Sequence, residues 1–343
     1  MNLLSKINNK LPIPRLKFPI EIEFEPIQLC NALCFTCPYT FLQQDKNYRG
    51  KKMGRDNIDI LLSDFGNLLK KNSYRGKAFV NPFRYSDPLV NPDLDLVFEI
   101  SKKFNFNVRI TTNGVSFTEA KSKLINDFID KVEGIIRISV IGSTAEKIKK
   151  NMNVNLDVTL SRLENVKNNF PKLASKIKVG LAEVDGTQEE NNEFQNLEKK
   201  FSSIGYETYR KKKWIENRID GKKIDQSKEN FIAGCNLFQN KLLRRMEVMY
   251  DGFVVLCDDD AIGRKKFGNV FEEGIENIWN NKLFEEHKLI FSKYYSDKKN
   301  ELICKACSRG AWNKRKKGFI NSAREIGYRQ SLKNIFLNKV NWI

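Results

Sequence analysis

The chain has 343 residues, of which 41% are hydrophobic, and its 60 basic against 42 acidic side chains give a formal net charge of +18 at pH 7. This length is sufficient for two domains, or for one large α/β domain with an appendage. No stretch approaches the roughly 18 apolar residues of a membrane span, and residues 1–7 are too polar for a secretory signal. Seven closely spaced cysteines favour metal binding over disulfides. We therefore expect a reducing, cytoplasmic location.

The first two-thirds of the chain alternate predicted strands and helices. Asp56 or Asn57 is the expected N-cap of the first helix, and Thr118 that of the third. Six strands with intervening helices predict a parallel sheet covered by helices, with functional groups at the carboxyl ends of the strands. The strands are expected at 21–28, 77–83, 106–112, 134–141, 176–184 and 206–214. The helices are expected at 56–71, 91–103, 118–131, 156–169 and 189–203.

Three cysteines follow the first predicted strand at CxxxCxxC spacing, namely Cys30, Cys34 and Cys37. A [4Fe–4S] cluster is usually held by four cysteine thiolates, so three would leave one iron open to another ligand. A zinc knuckle is the alternative, but zinc takes four ligands and no fourth Cys or His lies nearby. Spacing and position together resemble the signature of the radical S-adenosylmethionine (radical SAM) enzymes. This resemblance implies a partial (β/α)6 barrel whose open iron binds S-adenosylmethionine.

Residues at the ends of later strands match further landmarks of the same family, in the same order. After the second strand the family usually has Gly-Gly-Glu-Pro beside the methionine end of the cofactor, and this chain has Tyr-Ser-Asp-Pro at 85–88. The resemblance implies cofactor-binding roles for Ser86 and Asp87. It implies the same for Asn113 after the third strand and for Ser139 in the fourth.

The adenine of the cofactor requires a surface of its own. The family often has a bulky residue just before the third cysteine, where this chain has Thr36. Phe35 or Tyr39 is therefore expected to supply that surface. Taken singly, the residues at the strand ends named above indicate only ordinary turns, helix starts or strand positions. Their order behind the cysteine motif is what supports the resemblance.

A second set of four cysteines lies in the last third of the chain. The predicted hairpin at 246–257 turns at Asp-Gly and is followed by Gly-Asn-Val at 268–270. This pattern resembles the SPASM/twitch extension of radical SAM enzymes. Four ligands suit one fully ligated auxiliary [4Fe–4S] cluster. A structural zinc site would use the same four residues, and a cluster with one ligand from the backbone or the substrate is the other alternative. The implied ligands are Cys235, Cys257, Cys304 and Cys307.

The expected fold class is therefore α/β, a partial (β/α)6 radical SAM barrel followed by a small α+β SPASM/twitch-like domain. The basic residues are spread along the chain except after residue 313, so nucleic acid is not the favoured partner. The tail can be a solvated segment, a site for an anionic substrate or partner, or a membrane-surface contact. The expected divisions are an N-terminal extension (1–20), the barrel (21–215), a linker (216–231), the auxiliary-cluster domain (232–310) and a basic tail (311–343).

Asp258 directly follows Cys257. In the anaerobic sulfatase-maturating enzymes, an Asp at the equivalent position serves as general base, so the resemblance implies that role here. A solubilising Asp-Asp-Asp turn at 258–260 is the alternative. The resemblance implies that all seven cysteines are ligands, which disfavours epimerisation through a free thiol. The single histidine, His287, lies in a charged helical segment and is expected to be exposed and inert.

The resemblance implies an enzyme that cleaves S-adenosylmethionine to a 5′-deoxyadenosyl radical, using an electron from a flavodoxin- or ferredoxin-type donor. Oxidation of a carbinol in a sugar, aminocyclitol or nucleotide sugar is the favoured outcome. Peptide modification, epimerisation, and a non-enzymatic iron–sulfur or zinc scaffold are the alternatives. Peptide-modifying relatives often carry a leader-binding domain before the barrel. Only about twenty residues precede the first strand here, so a separate protein would have to recognise a leader.

Overall fold

The computed structural model describes residues 14–211, 232–235, 242–291, 304, 310–312 and 340–342. The predicted linker, Cys307 and most of the basic tail lie outside these residues. The chain forms two compact units. The barrel unit comprises residues 23–63 and 76–216, and the C-terminal unit comprises the described residues of 1–22, 64–75 and 217–343. Within the described residues, no helix has the length and apolar character needed to cross a bilayer.

Fourteen strands lie in the described part of the chain. They are β1 (Pro14–Leu16), β2 (Glu21–Phe24), β3 (Phe79–Asn81), β4 (Asn107–Val108), β5 (Thr111–Thr112), β6 (Ile136–Ile141), β7 (Ile177–Ala182), β8 (Glu207–Lys211), β9 (Ile232–Cys235), β10 (Arg245–Val248), β11 (Phe253–Val255), β12 (Lys266–Asn269), β13 (Gly310–Trp312) and β14 (Val340–Trp342).

The α-helices of the described residues are α1 (Tyr39–Leu42), α2 (Arg55–Lys71), α3 (Leu94–Phe104), α4 (Glu119–Asp127), α5 (Ala145–Met152), α6 (Leu156–Asn169), α7 (Pro171–Ala174), α8 (Gln188–Ser203), α9 (Val270–Glu273), α10 (Ile275–Asn280) and α11 (Lys282–Phe291). Two 3₁₀ turns, Pro88–Val90 and Ile129–Lys131, lie between them.

The barrel unit contains the predicted parallel strands. β3 pairs with β4, and β5 to β8 pair in sequence, all of them parallel. The predicted third strand forms as β4 and β5 because its partner changes partway along. The N–H of Arg109 still donates to Val80 O (3.0 Å), whereas the carbonyl of Ile110 accepts from the N–H of Arg137 in β6 (3.1 Å).

Local side-chain chemistry explains where several helices begin. Thr118 caps α4 as predicted, its side chain accepting from Lys121 N (3.3 Å). The N-cap predicted for α2 is wrong, because the helix begins at Arg55 and Asp56 lies in its first turn. There the carboxylate still stabilises the positive end of the helix dipole. The helix predicted from residue 91 begins only at Leu94, and α5 was not predicted.

The C-terminal unit is built on antiparallel pairing. The predicted hairpin is present, with Glu247 of β10 opposite Val255 of β11, and β11 pairs in turn with β12. Gly252 in the turn has φ +83°, a left-handed conformation that glycine adopts without a steric penalty. β9 pairs with β13, and β1 pairs with β14.

The interior of the C-terminal unit contains an arginine–histidine–tryptophan cluster. Arg15 is fully buried, donates from Nε to Nδ1 of His287 (3.1 Å), and lies over the Trp279 ring at 4.3 Å. The expectation that His287 is exposed is therefore wrong, since the residue is only 1% accessible. Burial, with the positive charge of Arg15 adding to it, holds the pKa of His287 well below its usual 6.5.

This arrangement predicts a stability that depends on pH. Unfolded His287 takes up a proton below about pH 6.5, whereas the folded residue stays neutral, so acidification favours unfolding. The contribution of neutral His287 to the free energy of unfolding is complete above pH 6.5 and declines as the pH falls, by at most about 1.4 kcal/mol per pH unit. Denaturant unfolding of the wild type and of His287→Gln between pH 5 and 8 measures it. The variant keeps an acceptor for Arg15 but cannot titrate, so equal pH slopes would contradict the prediction.

Candidate metal centre and active site

The loop that carries Cys30, Cys34 and Cys37 follows β2 and is held by its backbone. The N–H of Leu33 donates to Met152 O (2.7 Å), and the N–H of Phe35 donates to Asn151 O (2.9 Å). These bonds satisfy carbonyls at the end of α5 that would otherwise lack partners. The cysteine loop is thus fixed against a helix that sequence patterns did not predict.

The three thiols are half-buried and close enough to influence one another's ionisation. Burial raises the pKa of Cys30 to about 12, and the charges of Asp87 and Cys37 contribute. Burial also raises the pKa of Cys34, with contributions from Cys37 and Cys30. Iron binding at these thiols would have to displace their protons. The structure therefore brings the three predicted ligands together at one place.

Asp87 joins the ends of the second and third barrel strands. Its Oδ1 accepts from Leu89 N (2.9 Å), while Oδ2 accepts from Thr112 Oγ1 (2.7 Å) and Asn113 N (3.0 Å). Burial raises the pKa of this carboxyl, and these hydrogen bonds oppose the rise. Because both oxygens bond to the protein, the geometry favours a bracing role for Asp87 over direct contact with a ligand.

Asn113 connects the third strand to the cysteine loop. Its Nδ2 donates to Asn31 Oδ1 (2.6 Å), and its Oδ1 accepts from Val115 N (3.0 Å). Two polar atoms of neighbouring segments are buried without a hydrogen-bond partner among the described residues, namely Ser86 Oγ, next to Asp87 in sequence, and Gln28 Oε1, two residues before Cys30. Leaving a buried polar atom unpaired is unfavourable. Both atoms therefore fit contacts with a polar ligand.

The two rings proposed to contact adenine differ in accessibility. Phe35 is 47% exposed, whereas Tyr39 is buried and its ring lies 6.5 Å from that of Tyr48. Phe35 is therefore the ring that a ligand can reach, and its contact with adenine stays a prediction.

Ser139 belongs to a row of residues across three strands. It pairs with Gly180 of β7, which pairs with Tyr209 of β8. A Cβ at Gly180 would lie 2.8 Å from the phenol oxygen of Tyr209, so the glycine leaves the space that the phenol uses. Tyr209 also accepts a hydrogen bond from Arg137, whose charge opposes the rise in the phenol pKa caused by burial. Sequence reasoning missed Gly180 and Tyr209, because the register between the strands, and not alternation within one strand, brings them into the row of Ser139.

This close approach predicts coupling between Gly180 and Tyr209. Gly180→Ala should lower the free energy of unfolding by about 1–3 kcal/mol, because the new methyl group displaces the phenol. The loss should be smaller in a Tyr209→Ala background, as a double-mutant cycle would measure. Gly54→Ala, where a Cβ would meet nothing within 4 Å, is the control. Independent effects of the two substitutions would contradict the predicted contact.

The second set of cysteines lies in the C-terminal unit. Cys257 and Cys304 are half-buried, and the Cys257 sulfur lies within 4.8 Å of carboxylate oxygens of Asp258 and Asp259. Cys235 ends β9, where its backbone pairs with Gly310 of β13. Cys307, three residues before Gly310, lies outside the described residues. The pairing of β9 with β13 nevertheless brings Cys235, the first predicted ligand, next to the strand that follows Cys307, the last predicted ligand.

Asp258 lies in a buried group of charges. It is 8% exposed and lies 3.4 Å from Nη2 of Arg245, which also pairs with Glu247. Asp260 is buried as well and accepts from Arg264 N (2.9 Å), so it braces a turn. A uniformly solvated Asp-Asp-Asp turn is therefore not what forms.

A comparison with known families gives an identity to this region. Residues 235–308 match the SPASM family, described as an iron–sulfur cluster-binding domain. The chain carries a SPASM domain. All four predicted auxiliary ligands fall within the matched residues. A search of curated proteins by sequence found no match.

Solved structures identify the fold of the larger part of the chain. anSMEcpe with bound AdoMet is similar at a TM-score of 0.57 and 15% identity, over 93% of this chain and 99% of that one. BtrN in complex with AdoMet and 2-DOIA is similar at 0.52 and 17%, over 84% and 92%. Streptococcus suis SuiB bound to precursor peptide SuiA is similar at 0.52 and 15%, over 89% and 72%. The chain thus has the fold of radical SAM enzymes with SPASM or twitch domains, which confirms the predicted fold class.

Proposed function

We propose that this chain is a radical SAM enzyme that oxidises a carbinol of a small molecule. The observation that carries the proposal is the placement of Cys30, Cys34 and Cys37 together in a barrel of the radical SAM fold. The SPASM match supports a second cluster in the C-terminal unit. Together they imply two [4Fe–4S] clusters and S-adenosylmethionine as cofactors, in a reducing cytoplasm.

The residues of the barrel unit fit the first cluster and its ligand. Cys30, Cys34 and Cys37 would hold three irons of a [4Fe–4S] cluster, which would leave the fourth iron to S-adenosylmethionine. The unpaired Ser86 Oγ and Gln28 Oε1 offer polar contacts to a bound molecule, and Phe35 offers an accessible ring. When bound, these cofactors supply an electron and a 5′-deoxyadenosyl radical that removes a hydrogen atom from the substrate. Asp87 holds the ends of the second and third barrel strands together by accepting hydrogen bonds from Thr112 and Asn113.

Asp258 is proposed as the group that takes the hydroxyl proton of the substrate. Its carboxylate lies next to the auxiliary ligand Cys257, and Arg245 orients it through an ion pair. A base fixed in this way contributes to catalysis by accepting the proton as the carbon centre is oxidised. After the hydrogen atom is removed, the substrate radical must lose one proton, to Asp258, and one electron, which the auxiliary [4Fe–4S] cluster would accept. A zinc ion bound by the same four cysteines would leave the proton acceptor in place, but it is redox-inactive and could not accept that electron.

Peptide modification is the second candidate function. It is favoured by the likeness to SuiB bound to a precursor peptide and to anSMEcpe bound to the Cp18Cys peptide, the latter at a TM-score of 0.55. The likeness to BtrN with 2-DOIA supports the first candidate with a TM-score close to these. The position of Asp258 fits oxidation in either substrate class, whereas an epimerase would need a hydrogen donor other than cysteine.

The cofactor content tests this function. Anaerobic reconstitution should give about eight irons and eight sulfides per chain, because each cubane holds four of each. The Cys30/Cys34/Cys37→Ala variant should retain about half of this iron and make no 5′-deoxyadenosine after reduction. Iron and sulfide analysis, with chromatography of the cleaved cofactor, measures both quantities.

Cys304→Ala is the matched control for the catalytic set. It should lose auxiliary iron and still cleave some S-adenosylmethionine, since the three barrel thiols remain. Stoichiometric zinc beside about four irons would refute the auxiliary cluster. Cleavage by the triple variant at the wild-type rate would refute the assignment of the catalytic cluster.

The role of Asp258 predicts a selective loss of product. With the substrate that the wild type oxidises, Asp258→Asn should keep both clusters and still abstract hydrogen. Its rate of product formation should fall at least about 10²-fold, as expected when a positioned base is removed. Iron content, deuterium transfer into 5′-deoxyadenosine and product yield separate these steps.

Asp259→Asn is the control, because a carboxylate oxygen of this neighbouring residue also lies within 4.8 Å of the Cys257 sulfur. Asp260→Asn would weaken the turn that Asp260 braces, so it reports on folding instead. An equal loss of product formation in Asp258→Asn and Asp259→Asn would contradict a specific base. A product with inverted stereochemistry and an unchanged oxidation level would favour an epimerase.

A further inference from the structure

The chain after the cysteine loop folds back beside residues 26–28, the segment between β2 and the cysteine loop. The N–H of Gly50 donates to Gln28 O (3.0 Å), and the N–H of Gln28 donates to Lys51 O (2.7 Å). The N–H of Met53 continues this pairing by donating to Pro26 O (3.0 Å). Residues 41–52, here called the basic turn, therefore lie next to the segment that enters the cysteine loop.

The basic turn carries an unbalanced positive charge. Its cations are all exposed, and Asp45 is the single acid between residues 38 and 54. None of the four cations has an ion pair with any residue that the structure describes. Phe41, at the start of the turn, is 51% exposed. The cations are Lys46, Arg49, Lys51 and Lys52.

Such a surface has the composition of a docking site. An exposed aromatic side chain in the same turn as four exposed cations matches an interface that combines an apolar contact with surrounding charge. Unpaired charges on the rim attract a partner of opposite charge and accelerate its association more than they strengthen the final complex. The charge of the basic turn therefore specifies an acidic partner.

We propose that the basic turn docks a small acidic protein that carries single electrons. The inference rests on the proposed function, which requires one electron to reach the iron bound by Cys30, Cys34 and Cys37. The carrier is oxidised by one electron and the cluster is reduced by one, with no bond made or broken. The turn is suited to this transfer because it lies beside the segment leading to Cys30.

Direct binding tests the surface without any cluster. The protein without iron is titrated with an oxidised flavodoxin, as an acidic carrier, in 20 to 300 mM KCl. Replacing the four cations of the basic turn with Glu should weaken binding at least about 10-fold at 20 mM KCl, and this difference from the wild type should shrink as added salt screens the charges. The matched control replaces four other exposed lysines with Glu, namely Lys102, Lys103, Lys199 and Lys200. These end α3 and α8, just before strands begin, and the control should change the Kd less than about 2-fold.

Cofactor cleavage completes the test in the reconstituted protein. With reduced flavodoxin, the basic-turn variant should form 5′-deoxyadenosine at least about 10-fold more slowly than the wild type. With dithionite, which needs no docking, the two should agree within about 2-fold, and this arm also shows that the variant is folded. A corresponding Gln variant should give an intermediate loss with flavodoxin.

Several results would overturn the proposal. Equal flavodoxin binding by the basic-turn and control variants would do so, as would an equal loss of cleavage with both reductants. Tighter binding of duplex RNA than of flavodoxin through the same residues would assign the surface to nucleic acid instead. Absence of cleavage by the wild type with either reductant would refute the proposed function, while the binding titration would still decide the docking surface.

Discussion

The hydrogen bonds between the cysteine loop and the end of α5 are the constraint on which the candidate catalytic site depends. Loop residues alone do not hold three thiols at one place, because fixing each backbone residue costs about 1–2 kcal/mol of conformational entropy. Here the N–H groups of Leu33 and Phe35 bond to carbonyls of α5, while Asn113 bonds to Asn31 within the loop. The cysteine loop is therefore held by hydrogen bonds within the protein, and α5, which follows the fourth barrel strand, supports the loop that follows the first.

The surroundings of the two cysteine sets differ electrostatically. The barrel thiols lie near the buried carboxyl of Asp87, which opposes loss of their protons. Near Cys257, Asp258 belongs to a group that contains Arg245, Glu247 and Glu21, the last with an oxygen 3.8 Å from Arg245. A buried charge group of this kind contributes little net stability, but removing one member leaves the others uncompensated. Such a group suits the fixing of one carboxylate in one orientation.

The sequence predicted the features that depend on local chemistry. The hairpin at Asp251–Gly252, the cap at Thr118 and the order of the strands follow from residue type and periodicity. The division of the third strand did not, because it arises from a change of hydrogen-bonding partner between neighbouring strands. The short helix α5 was missed since its apolar residues are few, although its carbonyls hold the cysteine loop.

The site residues show the same limit. The cysteines could be identified from spacing, whereas the bracing geometry of Asp87 and the contact between Gly180 and Tyr209 depend on how strands align. The charged residues around His287 suggested that it is exposed, yet its helix buries this side chain against Arg15. Burial of an individual polar residue is decided by a partner far away along the chain, and periodicity does not encode that partner.

Burial of His287 also determines how the protein competes for metals. The chain has one histidine, and its Nδ1 is occupied by Arg15 in the interior of the C-terminal unit. The folded surface therefore offers no imidazole to iron or zinc, which leaves the seven thiols as the soft ligands that select among transition metals. Unfolding of the C-terminal unit would release this imidazole. Imidazole coordination of iron or zinc is then a sign of opened protein rather than of an additional native site.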